Sequence, residues 1–227
     1  HLSDFPLYIN NVLALREKYK SQIRVTLGSE VDFHPETFSA YQQRLQPFIS
    51  SIDYLIGSVH VIQFPGTAPF GVDERIALDK IKQFGEDLIY TTYYEYLTAM
   101  ARTHFYQIVG HMDLPKRQGI YLGETAVIWE SQMKFLDAVQ QAHMAIEINH
   151  SGYYRPVGIQ YPRDALIREI ILRQIPLVLG SDAHSPDKVG YQFDLTMKKL
   201  LSLQKELLCP ISLCKFRNRQ VILIPLE

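Results

Sequence analysis

Short apolar runs alternate with longer amphipathic stretches along the whole chain. In the first amphipathic stretch, Ile9, Val12 and Leu13 keep roughly the 3.6-residue period of a helix. Strands and helices that alternate through short connections favour a parallel β/α architecture. The predicted strands are 23–27, 54–59, 107–109, 145–148, 177–179 and 221–224, with 211–213 as a weaker one. The predicted helices are 6–19, 36–48, 73–101, 124–141, 163–173 and 187–206.

Polar residues stand where most of these predicted strands end. In a parallel β/α barrel, the C-terminal ends of the strands form a single face, and the functional site is built there. We therefore expect the polar side chains to converge on one site. The residues that follow the strands are Glu30, His60, His111, Asp182 and His184, and Glu147 lies inside the strand 145–148, which Asn149 follows.

Each of these residues has an ordinary alternative when it is taken alone. A single histidine after a strand, such as His60 or His111, is often a hydrogen-bonded structural residue. Glu30 alone is typical of a solvated charge, and Asp182 of a helix N-cap. For Glu147, a structural ion pair competes with a role in the site. The convergence of all of them on one face favours the joint interpretation.

The residue types at this face indicate a metal site. Histidine and carboxylate ligands without thiolates suit zinc, manganese or iron, and several that converge indicate more than one ion. Asp182 and His184 are two residues apart, so their side chains would share a face at a strand end and each could bind a different ion. Such a site lowers the pKa of bound water, so that a hydroxide nucleophile forms near neutral pH. It also binds the attacking and the leaving oxygen of an in-line displacement at phosphorus. The sequence thus predicts phosphoester hydrolysis.

The composition of the chain argues against several classes of protein. The chain has 227 residues, enough for one substantial core, and its net charge of -1 argues against broad nucleic-acid binding. Its longest apolar runs have about six residues, far fewer than a membrane span needs. Cys209 and Cys214 are expected to be free thiols in a reducing cytoplasm, with a disulfide or a pair of metal ligands as alternatives. We therefore predict a cytoplasmic protein with no nucleic-acid and no membrane partner.

Five ordered motifs resemble those of histidinol phosphatases of the PHP (polymerase and histidinol phosphatase) superfamily. Singly these motifs are weak, but their order and spacing match, and the resemblance covers essentially the whole chain. The motifs are Gly-Ser-Glu-Val-Asp-Phe at 28–33, Ile-Gly-Ser-Val-His at 56–60, Val-Gly-His-Met-Asp-Leu at 109–114, Glu-Ile-Asn-His-Ser-Gly at 147–152 and Gly-Ser-Asp-Ala-His-Ser-Pro at 180–186.

The resemblance implies an α/β fold, namely a distorted (β/α)7 PHP-type barrel with a metal site at the C-terminal face. It implies one metallophosphatase domain over residues 1–227, and hydrolysis of L-histidinol phosphate to L-histidinol and phosphate in histidine biosynthesis. Glu30 would bridge two ions, and His60 and His111 would complete the shell of the second. Asp182 and His184 would bind the first and the third. Two to three divalent ions are expected, with zinc first and manganese or iron as alternatives.

The segment 147–162 also resembles the histidinol-phosphatase branch, through Ser151, Arg155 and the pair Tyr161-Pro162. Arg155 is the first candidate to bind the substrate phosphate, because a guanidinium matches two phosphate oxygens at once. Arg117, close behind His111, is the second candidate, and an ordinary surface arginine is the alternative for each. Ser151 and Glu147 are further candidates for contact with the substrate.

The chain departs from the family at its start. The family opens with a His-x-His strand and further ligand histidines, none of which is found here, and His1 is expected to be an edge residue instead of a ligand. We therefore expect the first barrel strand to be lacking, which leaves sheet edges unpaired. A separate chain, a neighbouring protomer of a homo-oligomer or residues outside the sequence would supply it. A PHP phosphoesterase with another small phosphorylated substrate, or an inactive fragment that acts as a binding module, are the alternative functions.

Overall fold

The computed structural model describes residues 4–227, and strands and helices alternate along them. His1 therefore lies outside the described residues. The helices are α1 (Phe5–Tyr19), α2 (Phe38–Leu45), α3 (Ile76–Phe84), α4 (Glu86–Arg102), α5 (Ala126–Gln141), α6 (Asp164–Leu172) and α7 (Phe193–Leu207). The strands are β1 (Gly28–Asp32), β2 (Tyr54–Ser58), β3 (Val61–Ile62), β4 (Phe70–Gly71), β5 (Ile108–Val109), β6 (Ala145–Asn149), β7 (Leu177–Gly180), β8 (Ser212–Arg217) and β9 (Gln220–Pro225).

Seven of these strands form one sheet, in the order β1-β2-β5-β6-β7-β8-β9. Every neighbouring pair from β1 to β8 is parallel, whereas β9 runs antiparallel to β8. Strands β3 and β4 pair separately. Parallel strands point their C-terminal ends to the same edge. The predicted α/β class is confirmed, and the ends of β1, β2, β5, β6 and β7 lie together.

The main sheet curls strongly. Tyr54 on β2 and Phe216 on β8 have ring centroids 5.5 Å apart, although three strands lie between them in the sheet. In a flat sheet that separation would be about 19 Å, at the usual strand spacing of about 4.8 Å. Beyond Phe216, the turn between β8 and β9 returns to the start of β2, where the Arg219 amide donates to the Asp53 carbonyl at 2.8 Å. The curvature agrees with a barrel-like fold.

The two faces of the curled sheet bury separate apolar clusters. The outer face packs against the helices through a large cluster that includes Ile146 and Ile148 of β6. The inner face carries a small cluster formed by Ile108, Ala145, Cys214 and Phe216. Residues 145, 146 and 148 thus alternate between the faces, as a strand requires. The same alternation turns Glu147 inward, where it lines a cavity of about 260 Å³.

The first strand differs in position from the sequence prediction. We expected 23–27, but the ladder with β2 begins at Gly28, opposite Tyr54. The Val25 carbonyl accepts from Arg16 of α1 at 2.9 Å, so this part of the predicted strand is bonded to a helix instead of a neighbouring strand. As a consequence, Glu30 lies inside β1 and not after it.

Two long predicted helices are interrupted. The predicted helix 73–101 is divided into α3 and α4 at Gly85. Gly85 has a positive φ of 87°, which glycine adopts more easily than other residues do. The predicted helix 187–206 starts later, because a short 3₁₀ helix, Pro186–Lys188, and a turn precede α7. The other predicted helices and strands fall within a few residues of their predicted bounds, and the short strands β3 and β4 were not predicted.

The sequence analysis also predicted that a membrane-spanning helix and a first barrel strand are lacking. Among the described residues, no helix has the length and apolar character that crossing a bilayer requires. The expected lack of a first barrel strand is not tested by the fold and stays a prediction.

Candidate metal centre

Three of the predicted ligands meet at the C-terminal ends of three neighbouring strands. Glu30 on β1, His60 after β2 and His111 after β5 each offer a ligand atom, and these atoms lie within 4.8 Å of one another. The His111 Nε2 atom is 2.9 Å from Glu30 Oε1, and the His60 Nε2 atom is 3.9 Å from it. The ligand atoms of a tetrahedral zinc ion lie about 3.3 Å apart. The three residues therefore fit a single divalent ion.

The charges at this centre are strongly coupled. Burial alone would raise the pKa of Glu30, but the hydrogen bond with His111 and the nearby His60 lower that pKa to about 2. Burial likewise opposes the charged form of His111, yet Glu30, Glu147 and Asp182 raise the pKa of its imidazole above the usual value. Glu30 is thus ionised at neutral pH, as a metal ligand must be.

A carboxylate that the sequence analysis missed orients His60. The Nδ1 atom of His60 is hydrogen-bonded to Asp32 Oδ1 at the end of β1. A proton held on Nδ1 by this contact leaves the Nε2 lone pair free for an ion on the Glu30 side. The signal was available in the sequence, because Asp32 lies two residues after Glu30 and so shares its face of the strand.

Glu147 forms a hydrogen bond with the backbone amide of His111. Its Oε2 atom accepts from the His111 amide at 2.9 Å and from Asn149 Nδ2 at 2.9 Å. The side chain occupies the space beside Gly180, where a Cβ would lie 1.8 Å from Glu147 Oε1. Burial raises the pKa of Glu147. The contact of Glu147 with substrate, which the sequence suggested, stays a prediction.

Asp182 lies near the centre, and both Asp182 and His184 are outside the three-residue group. Asp182 has a φ of 47° and is close enough to raise the pKa of His111. Ser185, not Asp182, is the N-cap of the following 3₁₀ helix, so the capping alternative does not apply. The His184 side chain is 79% exposed, and its Nδ1 atom lies 2.9 Å from the Asp182 carbonyl. Their roles as ligands of the first and third ions stay predictions.

The two candidate phosphate-binding arginines differ in their partners. Arg117 forms an ion pair with Asp73 at 2.7 Å. Arg155 is half-buried, no ion pair to it is found among residues 4–227, and its Nε atom is buried without a hydrogen-bond partner there. Ser151 is buried and donates to Asn149 Oδ1 at 2.7 Å. Arg155 is therefore the arginine whose charge is available to an anion.

Zinc affinity is expected to rise as pH increases above about 6.5, the usual pKa of histidine. The pKa of His111 is raised in the folded, metal-free chain. Below about pH 6.5, the usual pKa of histidine, protonated His111 therefore stabilises this chain fully. The stabilisation is lost as pH rises through the raised pKa. Zinc requires the neutral imidazole, so its binding gains over the same range. The difference in Tm with and without zinc, measured across this range, should widen. A difference that does not change with pH would contradict this coupling.

Comparisons with known proteins agree on one family. Residues 1–151 match the PHP domain family. A probable histidinol-phosphatase of Deinococcus radiodurans is 35% identical over 88% of this chain and 72% of its own length. The histidinol-phosphatase of Bacillus subtilis is 26% identical over 85% of this chain and 75% of its own.

A solved structure supports the fold. The histidinol phosphate phosphatase of Lactococcus lactis, crystallised with zinc, L-histidinol and phosphate, superposes with a TM-score of 0.70 at 19% identity. The match covers 96% of this chain and 79% of that one. At this identity the likeness concerns the fold, and the family follows from the match over residues 1–151 and from the Deinococcus relative. The chain belongs to the PHP domain family.

Proposed function

We propose that the chain is a metal-dependent phosphomonoester hydrolase that converts L-histidinol phosphate and water to L-histidinol and phosphate. The observation that carries the proposal is the group formed by Glu30, His60 and His111, which fits a divalent ion in a member of the PHP family. The names of the relatives from Deinococcus and Bacillus, both histidinol-phosphatases, support the choice of substrate.

The residues of the chain would divide the reaction between them. Glu30, His60 and His111 would hold a divalent ion that lowers the pKa of water and neutralises charge on the phosphate. The Arg155 guanidinium would bind phosphate oxygens and so orient phosphorus for in-line attack. Asp32 would keep the His60 proton on Nδ1 throughout. The sequence offers no obvious nucleophile for a covalent phosphoenzyme.

The number and kind of ions are part of the proposal. We infer two to three ions per site, with Asp182 and His184 as ligands of those that the three-residue group does not hold. Zinc is the first choice and manganese or iron are alternatives, since histidine and carboxylate ligands suit all three. The zinc named with the Lactococcus lactis structure supports this order.

The same proposal extends to the whole chain and its surroundings. Residues 1–227 would form a single metallophosphatase domain in the cytoplasm, and the free cysteines Cys209 and Cys214 fit a reducing compartment. Nucleic acid and membranes are not among the proposed partners. A homo-oligomer is also part of the proposal, with a second protomer at the edge of the sheet that β1 forms.

A substrate panel tests this function. The 227-residue chain, loaded with zinc and checked by elemental analysis, is assayed for phosphate release from histidinol phosphate, a nucleotide and a sugar phosphate. We expect kcat/KM to be at least roughly tenfold higher for histidinol phosphate, because a pocket that binds its polar groups rejects esters without them.

Two other results would replace this function. Equal kcat/KM values across the panel would favour the broader PHP phosphoesterase. Metal content far below one ion per chain, with no turnover of any ester, would favour the binding or assembly module.

A further inference from the structure

Two loops at the C-terminal edge of the sheet pack against each other through a buried ion pair. The histidine loop, residues 110–119, follows β5, and the arginine loop, residues 150–163, follows β6. Asp113 and Lys116 of the histidine loop form the pair, with 2.8 Å between Lys116 Nζ and Asp113 Oδ2. Both side chains are fully buried. Asp113 stands in the motif at 109–114 but was given no role there, Lys116 was not singled out, and neither belongs to the three-residue metal group.

Both charged groups of the pair bind the backbone of the arginine loop. Lys116 Nζ donates to the Gln160 carbonyl at 3.0 Å and lies 5.3 Å from the centroid of the Tyr161 ring. Asp113 Oδ2 accepts from the Arg163 amide at 3.2 Å. Asp113 and Lys116 pair within the histidine loop, and each also forms a hydrogen bond to the arginine loop. The pair therefore connects the two loops.

Arg155 lies between two anchors of the arginine loop. The base of the loop is closed by two hydrogen bonds between the backbones of Asn149 and Tyr161, at 2.7 and 2.9 Å. Nearer the tip, the Val157 amide donates to the Arg117 carbonyl of the histidine loop at 3.1 Å. The place of Arg155 relative to the metal centre thus depends on how the histidine loop holds the arginine loop.

Stability alone is a poor reason for this pair. Asp113 has a φ of 75°, a conformation unfavourable for residues other than glycine and least so for Asn and Asp. Its Oδ1 atom is buried and has no hydrogen-bond partner among the described residues. Well-packed apolar side chains of similar volume often stabilise a protein as much as a buried ion pair does. What apolar side chains cannot supply is directional bonding to two points of another loop.

We propose that Asp113 and Lys116 are positioning residues that fix the arginine loop, and with it Arg155, at a set place relative to His111 and the metal centre. The pair lies outside the group formed by Glu30, His60 and His111, and it contacts the arginine loop through the Gln160 and Arg163 backbone. The inference rests on the proposed function, because it takes Arg155 to bind a phosphate group.

The double variant Asp113→Asn/Lys116→Met of the full chain tests the proposal. Asparagine tolerates the left-handed conformation and still accepts from the Arg163 amide, while methionine fills the space of the lysine stem without a charge. We expect zinc affinity to change by less than about twofold. The Kd for inorganic phosphate and the KM for histidinol phosphate should each rise about tenfold or more, as on loss of an orienting contact. The amides of Val157 and Arg163 should exchange with solvent faster.

A matched variant separates positioning from general destabilisation. Arg16→Met/Asp53→Asn removes the ion pair between α1 and the start of β2, at the opposite end of the strands. It should lower Tm without changing phosphate affinity. The proposal is overturned if the Asp113→Asn/Lys116→Met variant keeps wild-type phosphate affinity and amide exchange. It is equally overturned if the matched variant loses as much phosphate affinity at the same loss of Tm.

A measurement on the wild-type chain covers the case in which the double variant does not fold. Under increasing denaturant, the Lys116, Val157 and Arg163 amides should open with one common free energy, because the two loops form one unit. Independent opening would contradict the proposal. Phosphate binding and amide exchange need no turnover, so a chain that does not hydrolyse histidinol phosphate fails the proposed function and still tests this inference.

Discussion

Replacing His111 by alanine is expected to lower phosphate release from histidinol phosphate by a factor of roughly 10³ or more, because metal catalysis contributes several kcal/mol to the barrier. The variant loses a ligand atom 2.9 Å from Glu30 Oε1. It also loses the strongest contact that lowers the pKa of Glu30. Zinc bound per chain, measured by elemental analysis, should fall together with kcat.

The fold of the His111→Ala variant should survive. The backbone amide of residue 111 keeps its hydrogen bond to Glu147, since that bond does not involve the imidazole. Far-ultraviolet circular dichroism should therefore match the wild type. His104→Asn is a suitable control, because His104 is exposed and has a φ of 52°, which asparagine tolerates. Wild-type zinc content and turnover in His111→Ala would exclude this residue from the centre.

Much of the candidate centre could be predicted because it depends on local features of the sequence. His60 and His111 each follow a short apolar run, and such runs become neighbouring parallel strands whose ends meet. No contact between distant residues has to be known to expect this convergence. The structure brings both histidines together with Glu30, and their roles as metal ligands stay a prediction.

The location of Glu30 shows where local patterns stop. Its place inside β1 is decided by the register with β2, in which Glu30 lies opposite Ile56. Register arises from pairing with a distant segment and from the α1 contact of Arg16 with the Val25 carbonyl. The apolar run 23–27 carries no sign of that competition. The sequence therefore singled out Glu30 but predicted the wrong bounds for the strand that carries it.

The ion pairs that neutralise charged side chains could not be predicted from the sequence either. Nothing in the sequence shows that Asp73, in another part of the chain, pairs with Arg117 and not with Arg155. The buried pair of Asp113 and Lys116 looks like an ordinary helical spacing of opposite charges, which is typically solvated. Burial is a tertiary property, and it is what separates these residues from their surface equivalents.

Replacing Arg155 by alanine should lower kcat/KM for histidinol phosphate by roughly a hundredfold, with most of the effect in KM. Truncating one member of a desolvated, charge-assisted contact costs about 3 kcal/mol, which corresponds to that factor. Arg155 is half-buried and no ion pair to it is found in the part of the chain that the structure describes, so no carboxylate there neutralises its charge. Competitive inhibition by inorganic phosphate should weaken by a similar factor.

Arg117→Ala is the matched control, because it removes the same side chain from a neighbouring loop. The Arg117 charge is already neutralised by Asp73 at 2.7 Å, so its loss should change KM by no more than a few-fold. It should instead lower stability by about 1–2 kcal/mol, since Asp73 is left partly buried without its partner. Steady-state kinetics and denaturant unfolding of both variants measure the two effects separately. If Arg117→Ala raised KM more than Arg155→Ala did, the phosphate would be bound on the Arg117 side of the site, in spite of the ion pair with Asp73.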